Sequence, residues 1–209
     1  RFGVDILDGV GSTEMLHQYV CNSPGQVKYG TSGKPVPGYE IRLVDENGQD
    51  VPDGEVGEML VKGPSAAEGY WNQRERSRGT FEGGWTRSGD KYTRDAEGYY
   101  IYQGRTDDMF KVSGIWVSPF EVESALMGHE SVLQAAVVPK EDADGLLKPK
   151  AFIVLKPGKT AVNGLPEQLK EHVKAKAGVW KYPRWIEFVD SLPMTATGKV
   201  QRYKLREGA

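Results

Sequence analysis

An α/β and α+β chain is predicted: a β-rich first part, shaped as a small antiparallel barrel or folded sheet, and then a small α+β part. Three observations carry this. The 26 glycines are concentrated before about residue 115, between short apolar runs, which reads as strands joined by tight turns. The pattern changes after Arg105, where a capped helix start and an amphipathic helix alternate with β-branched runs. Helices that cover a small sheet make an α+β domain.

The elements follow in order. Val4, Ile6 and Leu7 read as an interior strand entered midway. Residues 38–44 alternate apolar and polar side chains, as a half-buried strand does. Asp45-Glu46-Asn47-Gly48 supplies a hairpin-type turn, and residues 58–62 the return strand. Residues 98–102 form an aromatic-rich strand, and residues 109–112 a short extended one. Ser118, Pro119 and Glu121 are the cap, first turn and capping-box acid of a helix, with Val122, Ala125 and Leu126 facing a core. Strands are expected over 132–138, 151–155 and 185–189. Between the last two, residues 166–177 form an amphipathic helix with Leu169, Val173 and Ala177 on one stripe and Gly178 as its stop. Residues 103–108 are the junction between the two parts.

Composition excludes several classes. With 209 residues there is enough chain for one or two domains with real cores. The net charge of −2 gives no whole-chain attraction to nucleic acid or membrane, and basic residues do not cluster with aromatic partners. No apolar run approaches the roughly 20 residues that span a bilayer. No signal peptide is read, and a cytoplasmic protein is expected. The one cysteine, Cys21, excludes a disulfide framework and fits a reducing compartment; no local motif activates it as a nucleophile.

Four local patterns can carry chemistry. In Asp8-Gly9-Val10-Gly11-Ser12-Thr13-Glu14, glycines and hydroxyls can approach a phosphate, and the carboxylate can hold Mg²⁺, which prefers oxygen ligands. The bland alternative is a strand followed by a helix cap at Ser12 or Thr13. In Trp85-Thr86-Arg87-Ser88-Gly89-Asp90, a carboxylate behind a glycine turn can accept both hydroxyls of a ribose, or be a simple turn Asp. Tyr102 to Gly114 places Arg105, Asp107, Asp108 and Lys111 at the junction, where an exposed linker with a surface ion pair would look the same. Pro193 to Arg202 carries Lys199 on a Thr/Gly-rich loop, as one mobile point charge able to follow a phosphate, or as a solvated lysine.

Together, in this order, the four patterns resemble the acyl-adenylate-forming superfamily: acyl-CoA synthetases, adenylation domains of peptide synthetases and firefly-type luciferases. The similarity runs over essentially the whole chain. Within the superfamily, residues 11–17, 62–67, 87–92, 111–114 and 117–119 look most like benzoate-CoA ligases. Val10 stands where many members carry an aromatic residue, which supports the aryl-acid subgroup.

The resemblance implies a fold and a reaction. Residues 1–105 would be the C-terminal part of the large AMP-binding domain, including the small barrel-like subdomain. Residues 106–209 would be the small mobile C-terminal domain, hinged at Asp107. The implied activity is that of an acid–thiol ligase using ATP, Mg²⁺ and coenzyme A on benzoate or a related aryl carboxylate. Ser12 and Thr13 would meet phosphate, Glu14 the Mg²⁺, and Asp90 and Arg105 the nucleotide. Lys199 would be the adenylation lysine, while Lys111 and Gly114 would serve thioester formation. Met15, Leu16 and His17 would shape the acid pocket; a packed or surface His17 is the alternative. The family's phosphate loop ending in lysine is absent, so the chain reads as a fragment that needs its N-terminal part and is inactive alone. Carrier-protein loading and a non-catalytic nucleotide-binding module remain the alternatives.

Overall fold

A computed structural model describes residues 3–196 and 198–207. Two expectations touch residues outside this range, the chain start at Arg1 and Thr197 of the lysine loop. The chain divides into two compact units between Asp107 and Asp108.

The first unit holds two antiparallel sheets. Strands β1 (Gly9–Gly11), β2 (Gln18–Cys21) and β3 (Lys34–Pro35) form one. The other is built from β4 (Glu40–Val44), β5 (Gly57–Lys62), β6 (Phe81–Glu82), β7 (Trp85–Arg94) and β8 (Tyr100–Arg105), with helix α1 (Arg74–Thr80) leading into β6. Its order is β4-β5-β7-β6, and β8 also pairs with β7. This corrects the barrel expectation: the sheet is open, because β4 pairs with β5 alone among these strands and no ladder closes the ends. Its core gathers Met15, Tyr19, Val20, Leu43, Met59, Val61, Tyr92 and Tyr100. Residues 3–8 are a second correction. They form no strand, and Val4 and Ile6 are 76% and 77% exposed. Apolar spacing alone does not make a strand; a partner's hydrogen-bond ladder is also required.

In the second unit, β9 (Phe110–Val112) and β10 (Ile115–Val117) form a hairpin followed by α2 (Pro119–Met127). A three-stranded sheet comes next: β11 (Val132–Glu141), β12 (Leu147–Leu155) and, after α3 (Leu165–Ala177), β13 (Trp185–Phe188). Strand β12 runs antiparallel to β11 and parallel to β13. A short α4 (Arg202–Glu207) ends the described chain. The sheet is buried on both faces, and its period of two sorts the side chains. Ala135, Val137, Ala151 and Ile153 share a core with residues of α2 and α3. Ala136, Val138, Phe152 and Val154 share one with Leu192, against which Val189, Val200 and Leu205 pack.

One turn device recurs. Asp45, Asp95 and Asp142 each accept two later backbone N–H groups on Oδ1, and each is followed three residues later by a glycine at φ +76°, +83° or +73°. The aspartate satisfies the turn's donors, and the glycine supplies the left-handed conformation.

Candidate active site

The glycine-rich first motif folds as a strand and a turn. Strand β1 ends at Gly11, which passes so close to β2 that a Cβ would lie 2.6 Å from the His17 carbonyl oxygen. A single 3₁₀ turn, Thr13–Met15, follows with Ser12 at its cap position, but the Ser12 side chain caps nothing. Its Oγ is buried without a hydrogen-bond partner, and so is the hydroxyl of Tyr19. A buried, unpaired hydroxyl costs free energy comparable to a lost hydrogen bond. Burial pushes the Tyr19 phenol up, and the Asp90 carboxylate is the next contributor, with Glu14 adding to it; Ser12 and Arg105 oppose the shift. The charges of Asp90, Glu14 and Arg105 thus act on one buried tyrosine. Thr13 is exposed on the turn between Ser12 and Glu14.

Glu14 is held from two sides. Its carbonyl accepts the Ala67 N–H at 2.8 Å, and its Oε1 accepts a short hydrogen bond from the Tyr70 hydroxyl. Burial alone would raise its pKa. The Tyr70 bond, with smaller help from its own backbone, Ser12 and Arg76, outweighs burial and keeps the carboxyl below its ordinary range. Arg76 stacks 4.1 Å from the centre of the Tyr70 ring.

Asp90 sits in a bulge of β7. Leu60 pairs with Arg87 and Glu58 with Lys91, so Ser88, Gly89 and Asp90 face the single residue Met59 of β5. Ser88 Oγ donates to the Met59 carbonyl at 3.0 Å and accepts the Asp90 N–H at 3.1 Å. Gly89 takes φ +71°, and a Cβ there would lie 2.8 Å from Nη2 of Arg105. Across the ladder Arg105 pairs with Asp90; its Nη1 donates to Asp90 Oδ1 at 3.1 Å and to the Ser88 carbonyl at 3.2 Å. Strand β8 thus runs through Gln103 to Arg105, three residues further than the aromatic run suggests, and takes in half of the expected linker.

The three pocket candidates take different places. Met15 is fully buried in the core, and Leu16, at φ +70°, is 79% exposed. His17 is exposed yet held at both ring nitrogens: Nδ1 meets the Gln18 carbonyl at 2.6 Å and Nε2 the Tyr39 hydroxyl at 2.9 Å. Tyr39 continues to Ser65 Oγ at 2.6 Å, which donates to the Met15 carbonyl at 2.6 Å. Gly63 leaves room for the Tyr39 ring, which a Cβ would approach to 2.3 Å.

Asp107 lies exposed in a 3₁₀ turn, Thr106–Asp108, at the boundary of the units. In the second unit, Ser113 and Gly114 turn the β9–β10 hairpin at φ +50° and +83°, a pairing of left-handed residues that suits strand twist. Lys111 lies on the outer face of that hairpin, 4.6 Å from the ring centre of Trp116 opposite it. Lys199 occupies a separate hairpin. Thr195 and Lys199 close it by N–H to carbonyl at 2.8 Å and N–H to Oγ1 at 3.0 Å; Gly198 stands at φ +80°, and Met194 bridges Val200. The Lys199 side chain is exposed, with no ion-pair partner among the described residues.

Tyr19, Tyr70 and Ser88 were not foreseen as site residues. Tyr19 reads as one apolar position of a strand. Tyr70 meets Glu14 across 56 positions of sequence, a pairing for which no local pattern exists.

Comparison with known proteins finds a family and several relatives. The AMP-binding enzyme model matches residues 1–71, and the model of the AMP-binding enzyme C-terminal domain matches residues 121–199. A 4-hydroxybenzoate–CoA/benzoate–CoA ligase of Rhodopseudomonas palustris is 64% identical over 99% of this chain and 39% of its own length. The crystal structure of a benzoate CoA ligase from Burkholderia xenovorans LB400 superposes with a TM-score of 0.90 at 58% identity, covering 98% of this chain and 41% of that one. The anthranilate CoA ligase AuaEII, solved with anthranoyl-AMP, superposes at 0.93 with 53% identity, covering 99% of this chain and 40% of that one. The chain thus spans about two fifths of the length of these relatives. No described helix is long and apolar enough to cross a membrane. The two matched models and the aryl-acid relatives place the chain in one family: it belongs to the AMP-binding, adenylate-forming enzymes and is similar to their benzoate–CoA ligases.

Proposed function

We propose that this chain is the C-terminal part of an ATP-dependent aryl-CoA ligase acting on benzoate or a close relative such as 4-hydroxybenzoate. The observation that carries the reading is the Asp90 carboxylate held by Arg105 at 3.1 Å at the edge of a core in which the Ser12 and Tyr19 hydroxyls are buried without partners. A carboxylate paired with a guanidinium, and buried hydroxyls without partners, suit a polar, charged ligand such as a nucleotide better than they suit a packed core.

In the first step a carboxylate oxygen of the acid attacks the α-phosphorus of ATP, and pyrophosphate leaves with the electron pair of the broken P–O bond. Two anions approach each other, so cations must neutralise the developing charge. Lys199 is assigned that task, and Thr13 and Ser12 the phosphate oxygens. Asp90 accepts the ribose hydroxyls while Arg105 holds its carboxylate in place. Glu14 would hold Mg²⁺. It is an ionised hard-oxygen donor and stands in no cluster of three metal-ligating side chains among the described residues. That suits an ion bound through one carboxylate, substrate phosphate and water. When bound, the ion neutralises phosphate charge.

In the second step the CoA sulfur, after losing its proton, attacks the acyl carbon, and AMP leaves. Lys111 and the Ser113–Gly114 turn are assigned to that half-reaction, and Asp107 is the pivot between the two. His17, held at both nitrogens, offers an acid its ring edge rather than a free hydrogen-bonding group. The rest of the acid site and the loop for the β- and γ-phosphates belong to the preceding part of the protein. The 209 residues alone are therefore expected to give no pyrophosphate–ATP exchange.

The test is AMP release from ATP by the full-length protein, with and without CoA, across benzoate, hydroxybenzoates, aminobenzoates, cinnamate and a short fatty acid. CoA-dependent turnover peaking at benzoate or 4-hydroxybenzoate supports the proposal. Adenylation without CoA dependence points to carrier-protein loading, and no AMP with any acid refutes the enzyme reading.

A further inference from the structure

Arg202 opens α4 just beyond Lys199, and its guanidinium reaches two carboxylates of the same unit. Nε and Nη2 donate to the two oxygens of Glu123 at 3.1 and 2.7 Å, and Nη1 donates to Asp108 Oδ2 at 3.1 Å. One turn further on, Arg206 donates to the other Asp108 oxygen at 2.7 Å. Glu123 is itself fixed: it is 5% exposed on α2, and its Oε1 also accepts the Val137 N–H of β11 at 2.8 Å. Asp108 is the first residue of the second unit and follows the proposed pivot Asp107 directly.

The placement has a mechanical consequence. The Lys199 hairpin is closed within itself, and the Gln201 N–H bonds back to the Pro193 carbonyl at 2.8 Å. It is therefore joined to the unit as one closed piece at its base. At that base Leu192, Val200 and Leu205 pack on the sheet, but apolar contact is not directional. The guanidinium fork is directional, since a bidentate pair on Glu123 and a third bond on Asp108 fix an orientation as well as a distance. Lys199 itself has no ion pair among the described residues, so its aim is inherited from this base.

We infer that Asp108, acting through Arg202, is a positioning residue that sets the aim of Lys199 for the adenylation half-reaction, with Glu123 as the fixed end of the same clamp. The inference rests on the reading of Lys199 as the adenylation lysine. Asp108 touches no reacting atom in this account. It ties the lysine hairpin to the residue after the pivot, so that the hairpin follows the pivot as one body. A merely structural clamp would differ in one respect: weakening it would harm both half-reactions alike.

The experiment uses the full-length protein with Asp108→Asn, which keeps the shape and loses the charge, and Asp108→Glu, which keeps the charge. Hydrogen exchange at the Gly198, Lys199 and Gln201 amides reads the hairpin without reference to activity. Pyrophosphate–ATP exchange with benzoate reads the first half-reaction, and CoA-ester formation from supplied benzoyl-adenylate reads the second. Asp108→Asn is expected to speed those amides about tenfold. It should cut the kcat of adenylation about 10- to 100-fold, as misplacement by roughly an ångström does. CoA-ester formation should stay within about twofold, and Asp108→Glu should recover most of the loss. Unchanged amide exchange overturns the proposal, and so does equal loss of both half-reactions. Faster amides in a protein whose unsubstituted form makes no adenylate would refute the ligase reading while leaving the tether in place. Should Asp108→Asn fail to fold, Arg202→Lys, which keeps the charge without the fork, is measured in the same three ways with the same expectations.

Discussion

Gly89→Ala separates the backbone and ligand roles of the β7 bulge. Gly89 stands at φ +71°, and an added Cβ would lie 2.8 Å from Nη2, 3.3 Å from Cζ and 3.4 Å from Nη1 of Arg105. Two costs follow. A residue with a Cβ in the left-handed region costs about 1–2 kcal/mol. The steric conflict is with the end of a flexible side chain, so Arg105 swings away and the sheet stays intact. Swinging away breaks its bonds to Asp90 and to the Ser88 carbonyl. Because the Arg105 side chain is 46% exposed, that loss adds at most about 1 kcal/mol to the destabilisation. The effect on nucleotide binding is larger. Asp90 loses the cation that orients its carboxylate, and a hydrogen bond to a charged group is worth about 1.5–3 kcal/mol. That corresponds to roughly a 10- to 100-fold rise in KM for ATP. The assay pairs urea unfolding with AMP-release kinetics on the full-length protein. KM for the acid should stay within about twofold, and Arg105→Ala should reproduce the ATP effect without the backbone cost. A Gly89→Ala protein that is destabilised yet keeps its KM for ATP refutes the link between the bulge, Arg105 and the nucleotide.

Four further outcomes are expected. Lys199→Ala should lower adenylation by about 10²- to 10³-fold, the scale of a lost transition-state donor, while CoA-ester formation from supplied aryl-adenylate persists; equal losses would remove Lys199 from the first step. Asp107→Pro fixes φ and removes a donor at the unit boundary, so one half-reaction should survive and the other fail, and parallel losses would argue against the pivot. Tyr70→Phe should raise the Glu14 pKa, because burial then acts without its main opponent. A depressed carboxyl pKa gives stability that is present above its ordinary value of 4.5 and lost as pH falls through the folded value; in the variant that loss should begin at higher pH, and an unmoved Glu14 carboxyl titration by NMR would count against the Tyr70 bond. His17→Ala should raise KM for the aryl acid more than for ATP, and equal rises would exclude His17 from the pocket.

Much of the fold is legible in local pattern. Ser118 accepts the Glu121 N–H at 3.3 Å with Pro119 in the first turn, so the cap of α2 is the one its sequence advertises, while the Glu121 carboxylate pairs with Lys181. The stripe of Leu169, Val173 and Ala177 is buried as its spacing requires. The Asp-x-x-Gly turn is legible at Asp45, and the same signal stands unused at Asp95 and Asp142, where it would have predicted the β7–β8 and β11–β12 hairpins. Helices α1 and α4 escape because neither has a long apolar stripe, and α1 buries no residue at all. Of the candidate site, the motifs name Glu14, Asp90, Arg105 and Lys199. Tyr70, which bonds Glu14, and Glu123, which bonds Arg202, come from other elements, and only the folded chain makes those pairs.

The β7 bulge shows why a motif can be visible in sequence while its purpose is not. Thr86, Ser88, Asp90 and Tyr92 have the same parity along the strand, and Thr86 and Tyr92 are 2% exposed. In a regular strand Ser88 and Asp90 would therefore point into the core beside Met59 and Val61, where an ionised carboxylate is costly. Setting three residues against one inserts two extra positions, an even number that preserves the alternation on either side. Tyr92 returns to the core, while the Asp90 carboxylate remains 15% exposed and paired with Arg105. Ser88 closes the bulge from within, and Gly89 supplies the conformation that the detour needs. A strand that only had to complete the sheet would gain nothing from this arrangement. The detour is accounted for by the need to hold a carboxylate at the edge of the core, as the proposed nucleotide-binding role requires.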